Sequence, residues 1–212
     1  MIVYHYTHLK NLRDILETGL QPMTLIAEGQ YKQLAPESLK KRAIFGLLLP
    51  QDPKWKFNQV FPDNWQYLTH DIGPILLEIK VDKNDPDILI GDEAYFQAQT
   101  YIKDPGYHNF PPNIKSKDWA EVFQKYDESV VSIKEYLHLP DRSNYILPKV
   151  LITKTIPSEY LEISKNQELL QEYMKSLNPE TNIYKNLVRE LREFDDLEGF
   201  TGFETQERRN LN

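Results

Sequence analysis

Histidines have the widest choice of chemistry in this sequence, because a neutral imidazole can bind a metal, accept a hydroxyl hydrogen bond or carry a proton. They are His5, His8, His70, His108 and His138. His5, His8 and His70 make a candidate metal set, which Asp71 would complete. The spacing of His5 and His8 spans a strand-to-helix junction and forms no ready ligand face, so we expect no metal. The alternative for a histidine in a first strand is a structural, hydrogen-bonded role.

Motifs of the common enzyme classes do not occur: there is no phosphate loop, Rossmann glycine fingerprint, HExxH or nucleophile elbow. The absence of cysteine excludes disulfides, thiolate zinc sites and cysteine nucleophiles. With 25 basic and 32 acidic residues, the net charge of −7 argues against long-range attraction to nucleic acid. No apolar run approaches the roughly 20 residues of a membrane helix, and no signal peptide begins the chain. These features predict a soluble, cytoplasmic protein.

The elements that must position the histidines start almost at the first residue. Residues 2–7 are β-branched and aromatic and predict a strand, after which Thr7 caps a helix that ends at Gly19. Further strands are predicted over 43–49, 75–81, 88–90, 130–133 and 150–152, and helices over 92–101 and 117–126. After about residue 164 only amphipathic helical stripes follow. We therefore predict an α+β body over 1–165 and a helical extension over 166–212 that packs on it.

Three segments carry a resemblance to a known family. The letters YHYTH at 4–8, followed by an apolar helix and Gly19-Leu20, resemble the opening of the ADP-ribosyltransferase superfamily, above all the DNA-modifying toxins of the DarT type. Related openings occur in poly-ADP-ribose polymerases and RNA 2′-phosphotransferases. The segment RAIFG at 42–46 resembles a strand that carries an aromatic residue, and LPKVLI at 147–152 resembles the strand that carries the catalytic glutamate.

The resemblance implies a split β-sandwich that holds NAD⁺ in a cleft between two small sheets. His5 would hydrogen-bond a ribose hydroxyl of NAD⁺, and the backbone near Tyr6 and Thr7 would bind the nicotinamide amide. Thr7 and His8 would border the cleft, and Phe45 would stack on the nicotinamide ring. From the residues alone, a core aromatic is the favoured role of Phe45.

Lys149 stands where the family's third motif has its glutamate. That glutamate stabilises the cationic sugar formed as nicotinamide leaves, and an ammonium opposes the same charge. Three explanations stay open: the acting carboxylate is Glu135 or Glu159, the chain is a natural inactive relative, or the lysine is a deliberate loss-of-activity change. The structural alternative for Lys149 is a solvent-facing strand residue.

The resemblance implies an NAD-dependent mono-ADP-ribosyltransferase, a bacterial toxin or effector that modifies a protein or nucleic acid. An antitoxin or immunity partner would accompany it, and we expect a monomer with no membrane association. The alternatives are a catalytically inactive NAD-binding relative, an RNA 2′-phosphotransferase with Arg142, and a metal-dependent hydrolase.

Overall fold

The computed structural model describes residues 1–24, 42–50, 73–103, 111 and 113–195. Strands in these ranges are β1 (Ile2–Thr7), β2 (Met23–Thr24), β3 (Arg42–Gly46), β4 (Ile75–Lys80), β5 (Ile88–Asp92), β6 (Val131–Ser132), β7 (Pro148–Ile152) and β8 (Leu161–Ile163). Helices are α1 (Leu9–Thr18), α2 (Glu93–Lys103), α3 (Trp119–Ser129), α4 (Ile133–His138), α5 (Glu168–Ser176) and α6 (Asn182–Asp195). His70, Asp71 and His108 lie outside the described residues.

The strands form two antiparallel sheets. One has the order β1-β4-β8, and the other has the order β2-β3-β7-β5-β6. Tyr4 and Leu47 exchange two backbone hydrogen bonds of 2.9 and 2.7 Å, which join β1 to the chain just after β3. The combination of helices with antiparallel sheets confirms the predicted α+β class. The finer assignment to a split sandwich stays a prediction.

One buried apolar cluster contains side chains from both sheets. Val3 and Ile79 come from the first sheet and Val150, Ile152 and Ile90 from the second, and all five are fully buried. Because alternate side chains of a strand lie on opposite faces, these strands place their β-branched residues on the shared face. The opposite face of β7 is therefore left to Lys149 and Leu151, where the candidate site lies.

The opening strand and helix agree with the prediction, except at the helix cap. Helix α1 begins after His8, not Thr7, and His8 caps it without a side-chain hydrogen bond. Gly19 ends it with φ of 84° and donates its N–H to Ile15, as expected for a helix-terminating glycine.

Two predicted strands are shorter than expected. Strand β3 ends at Gly46 rather than residue 49, because the chain turns to pair with Tyr4, and Leu49 is exposed. Strand β6 has two residues, because Ser132 and Glu135 form a capping box that starts α4.

The C-terminal helices pack against α1 and the first sheet. Leu170 of α5 is fully buried and Leu191 of α6 is nearly so, in a cluster with Leu12 and Leu77. Just before α5, the Gln167 amide accepts a hydrogen bond from the Leu76 N–H at 3.1 Å and donates to the Leu76 carbonyl at 2.9 Å. These contacts anchor α5 and α6 to β4. The division at residue 165 stays a prediction.

Replacing Leu170 by alanine should lower the free energy of unfolding by about 2–5 kcal/mol, since the change removes a fully buried side chain. The matched control is Ile183→Ala on α6, where the side chain is 56% exposed and the expected change is within about 0.5 kcal/mol. Urea denaturation of both variants measures the difference. Equal, small losses would contradict the packing of α5 on the body.

Candidate functional site

His5 lies on β1 with its imidazole held by the neighbouring sheet. Its Nδ1 lies 2.7 Å from the carbonyl oxygen of Phe45, and because a carbonyl only accepts hydrogen bonds, Nδ1 carries the proton. Burial lowers the pKa of His5, against the smaller opposing effect of the Phe45 carbonyl. The ring is therefore neutral near pH 7, and its Nε2 is a hydrogen-bond acceptor.

Lys149 lies in the middle of the five-stranded sheet, between β3 and β5. Its side chain is 14% exposed, so the alternative of a solvent-facing lysine is wrong. The Nζ atom lies 3.7 Å from the centroid of the Phe45 ring and 3.1 Å from Oε1 of Glu93. Buried cations are stable only when paired, and Phe45 and Glu93 provide both an aromatic face and a counter-charge.

Glu93 is the functional candidate that the sequence prediction missed. Gly91 of β5 lies opposite Lys149 of β7, and Glu93 follows two residues later at the start of α2. Burial raises the pKa of the Glu93 carboxyl, while Lys149 and a hydrogen bond from the Gln97 side chain act in the opposite direction. A signal was available, since two acids follow the apolar strand 88–90 after a single glycine.

Gln97 extends this polar cluster into the interior. Its side chain is buried, and within the part of the chain that the structure describes its Oε1 has no hydrogen-bond partner. An unpaired buried acceptor costs about 1–3 kcal/mol. Clusters that cost stability in this way are found at functional sites more than in ordinary cores.

Asp92, directly before Glu93, has a structural role. Its carboxylate accepts hydrogen bonds from the backbone N–H groups of Ala94, Ile146 and Leu147, at 2.7 to 3.1 Å. These bonds join the end of β5 to the start of α2 and to the chain entering β7. Asp92 therefore fixes the two backbones that carry Glu93 and Lys149.

Thr7 and His8 lie at the end of β1, with Gly73 packed against their backbone. Gly73 has φ of 112°, and a Cβ atom there would approach the His8 nitrogen and the Thr7 carbonyl to well inside 3.0 Å. Only glycine fits this conformation and this close approach. The junction that the resemblance assigns to nicotinamide binding is thus shaped by Gly73.

Tyr6 and Glu135 are engaged away from the Lys149 cluster. The Tyr6 hydroxyl donates to the Pro50 carbonyl at 2.7 Å, and burial raises the pKa of this phenol. The Glu135 carboxylate accepts from the N–H and hydroxyl of Ser132, which lowers its pKa. Glu135 lies beyond the edge strand β6, so β5 separates it from β7. Glu159 is exposed on a turn at Ser158–Tyr160.

Within the described ranges, no group of three or more His, Asp or Glu side chains could hold a metal ion, and no helix could cross a membrane. Within the same ranges, the structure brings together His5, Phe45 and Lys149 and adds Glu93. The resulting arrangement contains a neutral imidazole, an aromatic ring and a charge pair.

Comparison with known proteins gives a weak structural likeness. No protein-family model matches the chain, and no curated protein matches it. Among solved structures, it is similar to Thermosipho africanus DarTG in complex with ADP-ribose, at 14% identity and a TM-score of 0.33 over 82% of this chain. The match covers 46% of that chain, so this one spans about half its length. A likeness at this level establishes no shared activity, and the function proposed below depends on this chain's own residues.

Proposed function

We propose that this protein binds an NAD-type dinucleotide beside His5 and Phe45 and does not transfer ADP-ribose from it. The three motifs at 4–8, 42–46 and 147–152 support binding, since strands β1, β3 and β7 bring residues of all three into contact. The neutral imidazole of His5 also supports dinucleotide binding. Its Nε2 suits the hydroxyl of a ribose, which is a hydrogen-bond donor.

The observation that carries the second half of the proposal is the buried pair of Lys149 and Glu93. Departure of nicotinamide leaves a positive sugar, which a nearby negative charge stabilises. Here the carboxylate of Glu93 is neutralised by an ammonium 3.1 Å away. At ~4 Å and an effective dielectric of about 20, one charge contact is worth about 4 kcal/mol, or roughly a thousandfold in rate. A neutral pair at this position gives little of that stabilisation.

The test is calorimetric titration of the full chain with ADP-ribose, together with an assay of nicotinamide release from NAD⁺. We expect binding without release, and binding at least about tenfold weaker for His5→Ala, because a hydrogen bond to the ribose is lost. The matched control is His138→Ala, since His138 is exposed on α4 and its Nδ1 bonds the Lys134 carbonyl one turn earlier. An absence of binding, or equal losses in both variants, would contradict the proposal.

A mono-ADP-ribosyltransferase toxin is the second candidate, and the specific observation in its favour is Glu93. This carboxylate adjoins residue 149 although it comes from the start of α2, and could serve as the catalytic carboxylate if Lys149 moved away. A toxin of this kind would modify a protein or nucleic acid and be inhibited by an antitoxin or immunity partner. Release of nicotinamide by the unmodified chain would favour this candidate over binding alone.

The RNA 2′-phosphotransferase has less support. The Arg142 guanidinium donates to the Leu137 carbonyl at 2.6 Å and lies 5.5 Å from the centroid of the Tyr136 ring. Arg142 is thus engaged in local structure at the end of α4.

A further inference from the structure

Lys149 fills a cation site that the protein builds from its own residues. An aromatic face and a carboxylate are the two groups with which proteins hold cationic ligands. Phe45 provides the face at 3.7 Å, and Glu93 provides the carboxylate at 3.1 Å. The occupant is the chain's own ammonium group, at the aromatic ring proposed to border the dinucleotide.

We infer that Lys149 acts as an internal cation that selects dinucleotides whose nicotinamide ring carries no charge. This inference rests on the proposed function. The oxidised nicotinamide ring is a pyridinium cation, and the reduced ring is neutral. A pyridinium in contact with the Phe45 ring lies close to the ammonium of Lys149, which is 3.7 Å from the centroid of that ring. Like charges this near repel strongly in a partly buried site. The neutral ring of NADH avoids this repulsion, and ADP-ribose, which has no ring, avoids it too.

The fold holds Lys149 in place, so its ammonium stays beside Phe45 and Glu93. Strand β7 is paired on both sides, by β3 and β5, so the backbone at residue 149 is held in the sheet. The start of α2, which carries Glu93, is also held in place, because the Asp92 carboxylate accepts hydrogen bonds from the backbone N–H groups of Ala94 and Leu147. Moving the ammonium towards solvent would leave the Glu93 carboxylate buried without its counter-charge, which is unfavourable.

The experiment is calorimetric titration of the full chain with NADH, NAD⁺ and ADP-ribose. We expect NADH and ADP-ribose to bind at least about tenfold more tightly than NAD⁺, because these ligands differ in ring charge and share the ribose and diphosphate groups. In the double variant Lys149→Met/Glu93→Gln, which removes both charges and leaves neither unpaired, NADH and NAD⁺ should bind equally. The control Lys154→Met removes an exposed lysine paired with Asp85 just beyond β7, and should keep the preference.

The outcomes separate this inference from the proposed function. Binding of NAD⁺ as tight as that of NADH overturns the inference and leaves dinucleotide binding intact. Persistence of the preference in the double variant also overturns it, since the charge of Lys149 would then not be its cause. If ADP-ribose binds and neither NADH nor NAD⁺ does, the site excludes the nicotinamide ring by its size, and selection by ring charge is overturned. If none of the three ligands binds, the proposed function fails together with the inference.

Discussion

Exchanging Lys149 for glutamate lowers the free energy of unfolding by about 3–5 kcal/mol unless Glu93 is changed with it. The single variant places two buried carboxylates where the protein has an ion pair at 3.1 Å, with side chains only 14% and 10% exposed. Two carboxylates that share a site cannot both ionise, so the pKa of one rises further above its ordinary value. The folded state then binds more protons than the unfolded state, so stability falls as the pH rises above the ordinary pKa of a glutamate.

The double variant Lys149→Glu/Glu93→Gln tests whether removing the second carboxylate restores the stability lost in the single variant. It carries one carboxylate and no like-charge neighbour, so most of the lost stability should return, together with release of nicotinamide from NAD⁺ at least about a hundredfold above the parent. Urea denaturation at two pH values and a nicotinamide assay give both readouts. A single variant as stable as the parent would show that the two side chains are not paired in solution. A stable double variant without nicotinamide release would contradict the placement of the third motif.

Alanine at Gly73 is expected to cost about 3 kcal/mol or more and to abolish dinucleotide binding. Two effects combine: a φ of 112° is strained for any residue with a Cβ, and the added atom collides with the backbone of Thr7 and His8. Backbone atoms cannot rotate aside as a flexible side chain does. The end of β1 must therefore shift, and with it the junction proposed to bind nicotinamide. Thermal denaturation and titration with ADP-ribose measure the two consequences.

Gly91→Ala is the matched control for this prediction. Gly91 has no positive φ, and a Cβ there would lie 3.3 Å from the Tyr126 hydroxyl and the Val130 side chain, contacts that a small side-chain adjustment relieves. We expect a loss of about 1 kcal/mol. If Gly73→Ala were no more harmful than Gly91→Ala, the close packing of Gly73 on Thr7 and His8 would be wrong.

Much of the secondary structure could be predicted from local patterns. The stripe of α1 and its terminating Gly19 depend on residues within one helix, and the alternation of β4 depends on one strand. The end of β3 was less predictable, because it depends on a distant partner: β3 ends just before Leu47, which pairs with Tyr4. The end of β6 depends on a local contact, the capping box of Ser132 and Glu135. The first of these contacts joins segments more than forty positions apart in sequence.

The residues of the candidate site also differ in how far they could be predicted from the sequence. The motif around His5 and the lysine at position 149 can be read directly from the sequence, and the resemblance implies that His5 and Phe45 border the same cleft. The partner of Lys149 is not visible in this way, because Glu93 is 56 positions earlier in the sequence. It reaches Lys149 only because β5 and β7 pair with Gly91 opposite that residue. A different register would have moved the carboxylate away.

Residue types and local periodicity were enough to predict the class of fold, the absence of cysteine chemistry and the presence of a cation where the resembled family has an anion. Those features depend on residue types and on periodicity within single elements, which short-range physics decides. The environment of that cation depends on the tertiary structure, since alternation along β7 assigns Lys149 to one face of the sheet but does not specify what covers that face. Pairing β7 between two strands and placing Glu93 at its side made burial of Lys149 tolerable, because the counter-charge offsets part of the desolvation cost.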